Sequence, residues 1–240
     1  MVGCTWDDVP HLDATAKTEL EKSIPPYQLE ARKKGIPTLG AGAIFPIAES
    51  DIEIKDFAIP TYWPRAFGMD VGWKKTAGIW GARNNDTGTI YLYSEYYKGQ
   101  VEPSVHKTAF DGRGKWVPGV VDPAAHGRSQ VDGRKLFNMY REMGMDIENA
   151  ANAREAGIQE TWELMSGDRL KVFTSLRNWW AEFRTFQRDE HGQIKNESDY
   201  HLMAATRYFV MSGRERMKTK PADKKPVSGS VRSAGSWMGA

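Results

Sequence analysis

The sequence predicts an α/β protein with a mixed central sheet that contains an antiparallel three-strand meander and is flanked by helices. Two patterns carry that reading. Three strand-like runs follow one another with only short turns between them, and beyond them helical and strand-like stretches alternate as far as a closing helix. Strands joined by short turns pair antiparallel, whereas helix-and-strand alternation belongs to layered α/β folds.

The first sixty residues are rich in proline and charge, with helical stretches at about residues 14 to 22 and 27 to 34, the second stopped by Gly35-Ile36-Pro37. Residues 1–60 read as a lead-in segment. The Gly-rich run Leu39-Gly40-Ala41-Gly42-Ala43-Ile44 lacks the Gly-Lys-Ser/Thr ending that would hold phosphates and magnesium, so it reads as a turn. The meander comprises residues 66–71, 76–82 and 89–97, with Asn84-Asn85-Asp86-Thr87-Gly88 as the second turn. A helix near 103–111, a strand at 116–121, a helix at 133–143 and a strand at 145–150 come next. Then follow a helix at 154–166, a short strand at 170–173, a helix at 178–186 and a last helix at 198–213. Residues 61–213 form the expected domain. Residues 214–240 read as a basic tail, because Lys218-Thr219-Lys220-Pro221-Ala222-Asp223-Lys224-Lys225-Pro226 offers almost nothing to bury.

Composition excludes several classes. With 240 residues, 40% of them hydrophobic, the chain can bury a real core. No run of about 18 apolar residues occurs, and the N-terminus has no charged-then-apolar signal pattern, so neither a membrane protein nor an exported one is expected. Cys4 is the sole cysteine, which rules out an intrachain disulfide and a cysteine-based zinc site and fits a reducing cytoplasm. A net charge of +2 does not by itself announce a nucleic-acid partner.

Three aspartates stand out by position. Asp70 follows Ala66-Phe67-Gly68-Met69 along a strand, where a carboxylate is costly to bury unless a positive partner such as a metal ion neutralises it. Asp122 ends Val117-Pro118-Gly119-Val120-Val121, at the carboxyl edge where open α/β sheets bind ligands. Asp199 sits at or just inside the start of the closing helix. Each also has a plain structural role open to it: Asp70 shaping a turn before Gly72, Asp122 starting an Asp-Pro turn, Asp199 capping a helix. Taken together, the three match a convergent all-oxygen site suited to a hard cation, Mg²⁺ or Mn²⁺. Two such ions about 4 Å apart can activate water and stabilise the leaving oxygen in phosphodiester hydrolysis.

An ordered series of segments resembles the large terminase subunit of tailed phages. It comprises Trp6-Asp7-Asp8-Val9-Pro10-His11-Leu12, Ala31-Arg32-Lys33-Lys34-Gly35-Ile36-Pro37, Phe67-Gly68-Met69-Asp70-Val71-Gly72 and Val121-Asp122-Pro123-Ala124-Ala125. Trp179-Trp180-Ala181-Glu182-Phe183 and Ser198-Asp199-Tyr200-His201-Leu202-Met203-Ala204-Ala205-Thr206-Arg207-Tyr208 complete it. That family joins an ATPase motor to a nuclease of ribonuclease H-like fold, and without a Walker A motif the resemblance implies a C-terminal portion: the end of the motor or its connecting segment in residues 1–60, then the nuclease. The resemblance implies a metal-dependent endodeoxyribonuclease that cuts double-stranded DNA during genome packaging in the host cytoplasm. Asp70, Asp122 and Asp199 fall on the metal-ligand and catalytic positions, with two Mg²⁺ or Mn²⁺ ions. The motor ATPase part, the small terminase subunit and the portal are the implied protein partners. One departure is Ala204, where many members carry a further Asp.

Weaker candidates surround these. Lys74, Lys75 and Arg128 are candidate DNA contacts, the two lysines reading equally well as turn decoration. Glu182 matches a recurrent family glutamate, or is a solvated residue on an exposed helix face. His201, two residues from Asp199, should point away from it and reads as a core or hydrogen-bonded histidine. Trp63, Trp73 and Trp80 read as core rather than as a base-stacking platform. Two other functions share these features: another ribonuclease H-like nuclease such as a junction resolvase or transposase, and a non-catalytic DNA-binding or docking module that has lost metal ligation.

Overall fold

The computed structural model describes residues 17–18, 42–123 and 136–222. Arg128, Cys4, most of both lead-in helices and the tail beyond residue 222 lie outside the described residues, as does the start of the helix expected at 133–143.

Among the described residues, seven strands form one mixed sheet. In chain order these are β1 (Glu53–Ile54), β2 (Arg65–Asp70), β3 (Thr76–Arg83), β4 (Ile90–Lys98), β5 (Gly119–Val121), β6 (Ile147–Asn149) and β7 (Leu170–Phe173). Their spatial order is β1-β7-β4-β3-β2-β5-β6. The pairs β2/β3 and β3/β4 are antiparallel, which is the predicted meander, and β2/β5, β5/β6, β4/β7 and β1/β7 are parallel. The helices from residue 42 onward among the described residues are α1 (Glu49–Ile52), α2 (Pro103–Asp111), α3 (Leu136–Glu142), α4 (Arg154–Ser166), α5 (Arg177–Thr185) and α6 (His201–Tyr208).

Strand periodicity divides the core in two, because successive side chains point to opposite faces. Phe67 and Met69 pack with Trp80, Phe110 of α2 and Phe137 and Tyr140 of α3. Ala66 joins the opposite face, with Ile158 of α4, Trp179 and Phe183 of α5 and Leu202 and Ala205 of α6. The result is three layers with the sheet in the middle. Asp70 shares the face of Ala66 and Gly68, so it points to the α6 side.

Gly68 and Gly81 let α6 and the turn after it approach that face. A Cβ on Gly68 would lie 2.1 Å from the Ala205 carbonyl oxygen and 2.8 Å from Phe209 Cβ, and one on Gly81 would lie 2.1 Å from the Phe209 ring. Residues 68 and 70 are neighbours on one strand face, and residues 205 and 201 are neighbours one helical turn apart. Seating Ala205 on Gly68 therefore brings the start of α6 over Asp70.

The domain extends beyond both boundaries expected from composition. Ile44 and Ile52, within the stretch read as lead-in, are fully buried in the core, and β1 closes one sheet edge. At the other end, Arg65 and Lys218 exchange backbone hydrogen bonds of 2.8 and 3.1 Å, and Lys218 Nζ donates to Asp146 at 2.8 Å. Composition misjudged these edges because a few apolar anchors, or two backbone bonds, suffice to hold a polar stretch down.

The closing helix is also not the single element 198–213 expected. It divides into a 3₁₀ turn (Glu197–Asp199), α6, a π turn (Phe209–Gly213) and a second 3₁₀ turn (Arg214–Arg216). No helix among the described residues is long and apolar enough to cross a membrane.

Candidate functional site

Strand register sets Asp70 and Asp122 side by side. Met69 pairs with Val121 across the parallel β2/β5 ladder, and Asp122 N donates to Met69 O at 3.0 Å. The residues one step further, Asp70 and Asp122, are thus neighbours at the carboxyl ends of adjacent strands, roughly 4.8 Å apart along the pairing direction. The same row continues the other way, since Asp70 pairs with Ala77 and Ala77 with Tyr97. Ala77, small and buried, stands between the Tyr97 phenol and the acids and leaves room for a side chain from α6.

His201, the first residue of α6, enters that space. Its Nδ1 lies 2.8 Å from Asp70 Oδ2, and its ring centroid is 6.3 Å from that of Tyr97. Of the two plain readings of this histidine, the hydrogen-bonded one is realised, with a partner from the opposite end of the chain. Burial raises the Asp70 carboxyl above the usual range, and the field of Asp122 adds to this against the bond to His201. The bond to Asp70 in turn raises His201. Tyr208, two turns along the same face of α6, is held above its ordinary range by burial and then by Asp122. Ala204 lies between them on that face, at the position of the extra family Asp.

Glu182 of α5 is buried, with 7% of its surface exposed, so the reading of a solvated helix face is corrected. Its Oε2 accepts from the N–H of Leu202 at 2.8 Å and of Met203 at 3.0 Å, satisfying two donors that the first turn of α6 leaves unpaired. Burial pushes its carboxyl up to about 7. Two further contacts lock α5 to the α6 segment, with a hydroxyl bond inside α6 extending the first of them. Trp179 Nε1 donates to Thr206 Oγ1 at 2.9 Å, Thr206 Oγ1 donates to Leu202 O at 2.7 Å, and the Tyr200 hydroxyl donates to Thr185 O at 2.5 Å. Glu95 of β4 caps α5 in the same manner, accepting from Asn178 N at 3.0 Å and Trp179 N at 2.8 Å. A relay of carboxylate caps thus runs from the sheet through α5 to α6 and positions His201.

Asp199 is not gathered into the acid pair as closely as expected. It lies exposed on the 3₁₀ turn before α6, though its charge and that of Asp70 both reach the Tyr97 phenol, which burial foremost holds above its usual range. Among the described residues, no group of three or more His, Cys, Asp or Glu side chains is arranged to hold a metal ion. The Asp70/Asp122 pair alone fits a hard divalent cation of the Mg²⁺ kind, which takes one or two carboxylates and completes its shell with water and substrate phosphate.

Two neighbours, Tyr97 and Arg207, are not singled out as site residues in the sequence. Tyr97 reads there only as a strand aromatic, and Lys75 Nζ sits 4.4 Å over its ring. Arg207 is buried and stacked 4.5 Å over the Tyr208 ring, and its charge acts against the raised Asp70 carboxyl. Trp63 and Trp80 are core residues as expected, with 6% and 0% exposure, but Trp73 is 51% exposed. It follows Asp70 on a loop that leaves the sheet, where no layer among the described residues covers it.

No protein-family model matches the chain. It is 29% identical over 245 residues to the terminase large subunit of Salmonella phage P22, covering 94% of this chain and 47% of that protein. To the terminase large subunit of Enterobacteria phage LP7 it is 29% identical over 227 residues, covering 88% and 46%. The chain thus spans about half the length of these curated relatives. Among solved structures, the P22 large terminase nuclease domain aligns with a TM-score of 0.67 and 28% identity, over 76% of this chain and 97% of that one. A large terminase from a thermophilic bacteriophage aligns with a TM-score of 0.62 at 18% identity, over 86% of this chain and 54% of that one, a likeness of fold alone. The fold is the ribonuclease H-like one expected.

Proposed function

We propose, from the premise that this chain is a homologue of the terminase large subunits and corresponds to their nuclease part, that it is a metal-dependent endonuclease that cuts double-stranded DNA. The observation that carries the reading is the side-by-side placement of Asp70 and Asp122 at the carboxyl ends of β2 and β5, with His201 bonded to Asp70. Two acids this close repel one another, and a divalent cation between them removes that cost.

In this reading Asp70 and Asp122 hold Mg²⁺ or Mn²⁺, and Asp199, on the turn beside them, completes the ligand set when substrate is bound. Bound there, two such ions would lower the pKa of a water and stabilise developing charge on the phosphate. The chain's own residues supply the orientation. His201 holds one oxygen of Asp70 by its Nδ1–H and leaves the other for ligation, as outer partners of ligating carboxylates do. Glu182 holds His201 in place through the cap on α6. Lys74 and Lys75, on the loop after Asp70, are proposed phosphate contacts. Binding through phosphates carries little sequence information, which suits a cutter of low specificity. By relation to the large subunits, its partners are the motor ATPase part, the small terminase subunit and the portal, in the host cytoplasm.

Conversion of supercoiled plasmid to nicked and linear forms tests this. The protein should cut with Mn²⁺ or Mg²⁺ and stop in excess EDTA, and Asp70→Asn should abolish cutting while remaining folded. Wild type should gain melting temperature on adding Mn²⁺ and the variant little, because only a ligand that binds the native state stabilises it. A stably folded Asp70→Asn protein that cuts like wild type would sink the assignment.

A further inference from the structure

The loop between β2 and β3 begins directly after Asp70 and presents an indole to solvent, and we propose that Trp73 is a DNA-contacting residue that seats against the minor groove of the duplex beside the cut, with Lys74 on the adjoining phosphate. The inference rests on the reading of the chain as a DNA-cutting enzyme and deepens it. Trp73 is the only one of the three tryptophans around this strand pair to stay out of the core, at 51% exposure. Folding leaves that apolar surface in water, where a partner can recover it.

The loop that carries it is fixed by its surroundings. Gln100 N donates to Trp73 O at 2.9 Å, and Thr76 Oγ1 donates to Gly72 O at 3.1 Å. The backbone at Gly99 lies so close to this loop that a Cβ there would fall 1.8 Å from the Lys74 carbonyl oxygen. Lys75 is held over the Tyr97 ring at 4.4 Å, on the row that contains Asp70, while Lys74 is exposed. An indole presented on a braced loop loses little freedom on binding.

Position then selects the partner. Trp73 lies three positions beyond Asp70, a span of at most about 11 Å. One strand of a duplex advances about 3.4 Å per nucleotide, so a duplex with its scissile phosphate over the acid pair has the next three nucleotides within reach of this loop. Apolar wedges flanked by basic residues are a recurrent way to engage the minor groove, and they read shape more than sequence. An exposed indole beside two lysines matches that chemistry.

The test uses the whole chain, a fluorescein-labelled 30-base-pair linear duplex, EDTA to prevent cutting, and anisotropy across a salt series. Trp73→Ala should weaken duplex binding by about tenfold, and Trp73→Phe should restore most of it. Melting temperature should stay put in both, and the slope of log affinity against log salt should be unchanged. Lys74→Ala should instead reduce that slope by about one unit. Unchanged affinity in Trp73→Ala, with a wild type that binds duplex and cuts plasmid, would overturn this inference and leave the nuclease reading intact. A wild type that neither binds nor cuts duplex would overturn both.

Discussion

Replacing Glu182 by Gln should stabilise the protein at alkaline pH and much less in acid. The carboxylate is buried, Oε2 accepts two backbone bonds, and the Tyr97 hydroxyl acts on it as a further hydrogen-bond partner. Its pKa of about 7, against an ordinary 4.5, means that the native state prefers the protonated acid. A group raised in this way contributes stability that is fully present below the unfolded pKa and lost as pH rises through the folded one. At about 1.36 kcal/mol per unit, the shift corresponds to about 3 kcal/mol in total, of which about 2.5 kcal/mol falls between pH 5 and pH 8. Glutamine has no such titration. Its carbonyl can accept from Leu202 and Met203, and its amide can face the Tyr97 phenol, whose field is coupled to this group. Urea denaturation at pH 5 and pH 8 should show the variant's stability relative to wild type rising by that amount. Glu182→Ala serves as control and should be about 1 kcal/mol or more less stable than Glu182→Gln at both values, because it removes the cap as well as the titration. A difference between the Gln variant and wild type that is the same at pH 5 and pH 8 would refute the argument.

Two further outcomes follow from packing. Gly68→Ala should destabilise by at least about 2 kcal/mol in chemical denaturation, since its new methyl meets the Ala205 carbonyl oxygen at 2.1 Å and α6 must move away from Asp70. Truncation after Met217 removes both backbone bonds between Lys218 and Arg65 and should lower the melting temperature by about 2 °C or more. Truncation after Ala222 keeps those bonds and should leave it near wild type.

Much of the sheet was legible because strand and helix periodicities are local. The meander, the alternation beyond it and the exact span of α4 follow from apolar spacing and turn residues, and so does the placement of Asp70 and Asp122 at strand ends. Where local signals conflict with packing, the reading slipped. The stretch from Gly42 to Ile54 carries apolar residues but no helix or strand period, being broken by Pro46 and by Glu49-Ser50-Asp51, yet it contributes Ile44 and Ile52 to the core. Glu182 looks like a surface residue because its neighbours in sequence are mixed, and nothing within α5 reveals that the start of another helix lies over it.

What the sequence by itself determined was the order of elements, the acids at the sheet edge and the resemblance that joins them, since each depends on residues close together along the chain. The tertiary structure alone decided which residues meet. Seating Ala205 on Gly68 chose His201 as the partner of Asp70, 131 positions away, and the carboxylate of Glu182 fixed the helix that carries it. It also left Trp73 in solvent while Trp63 and Trp80 went to the core, because only the layers of the folded sheet determine which side of a strand end is covered.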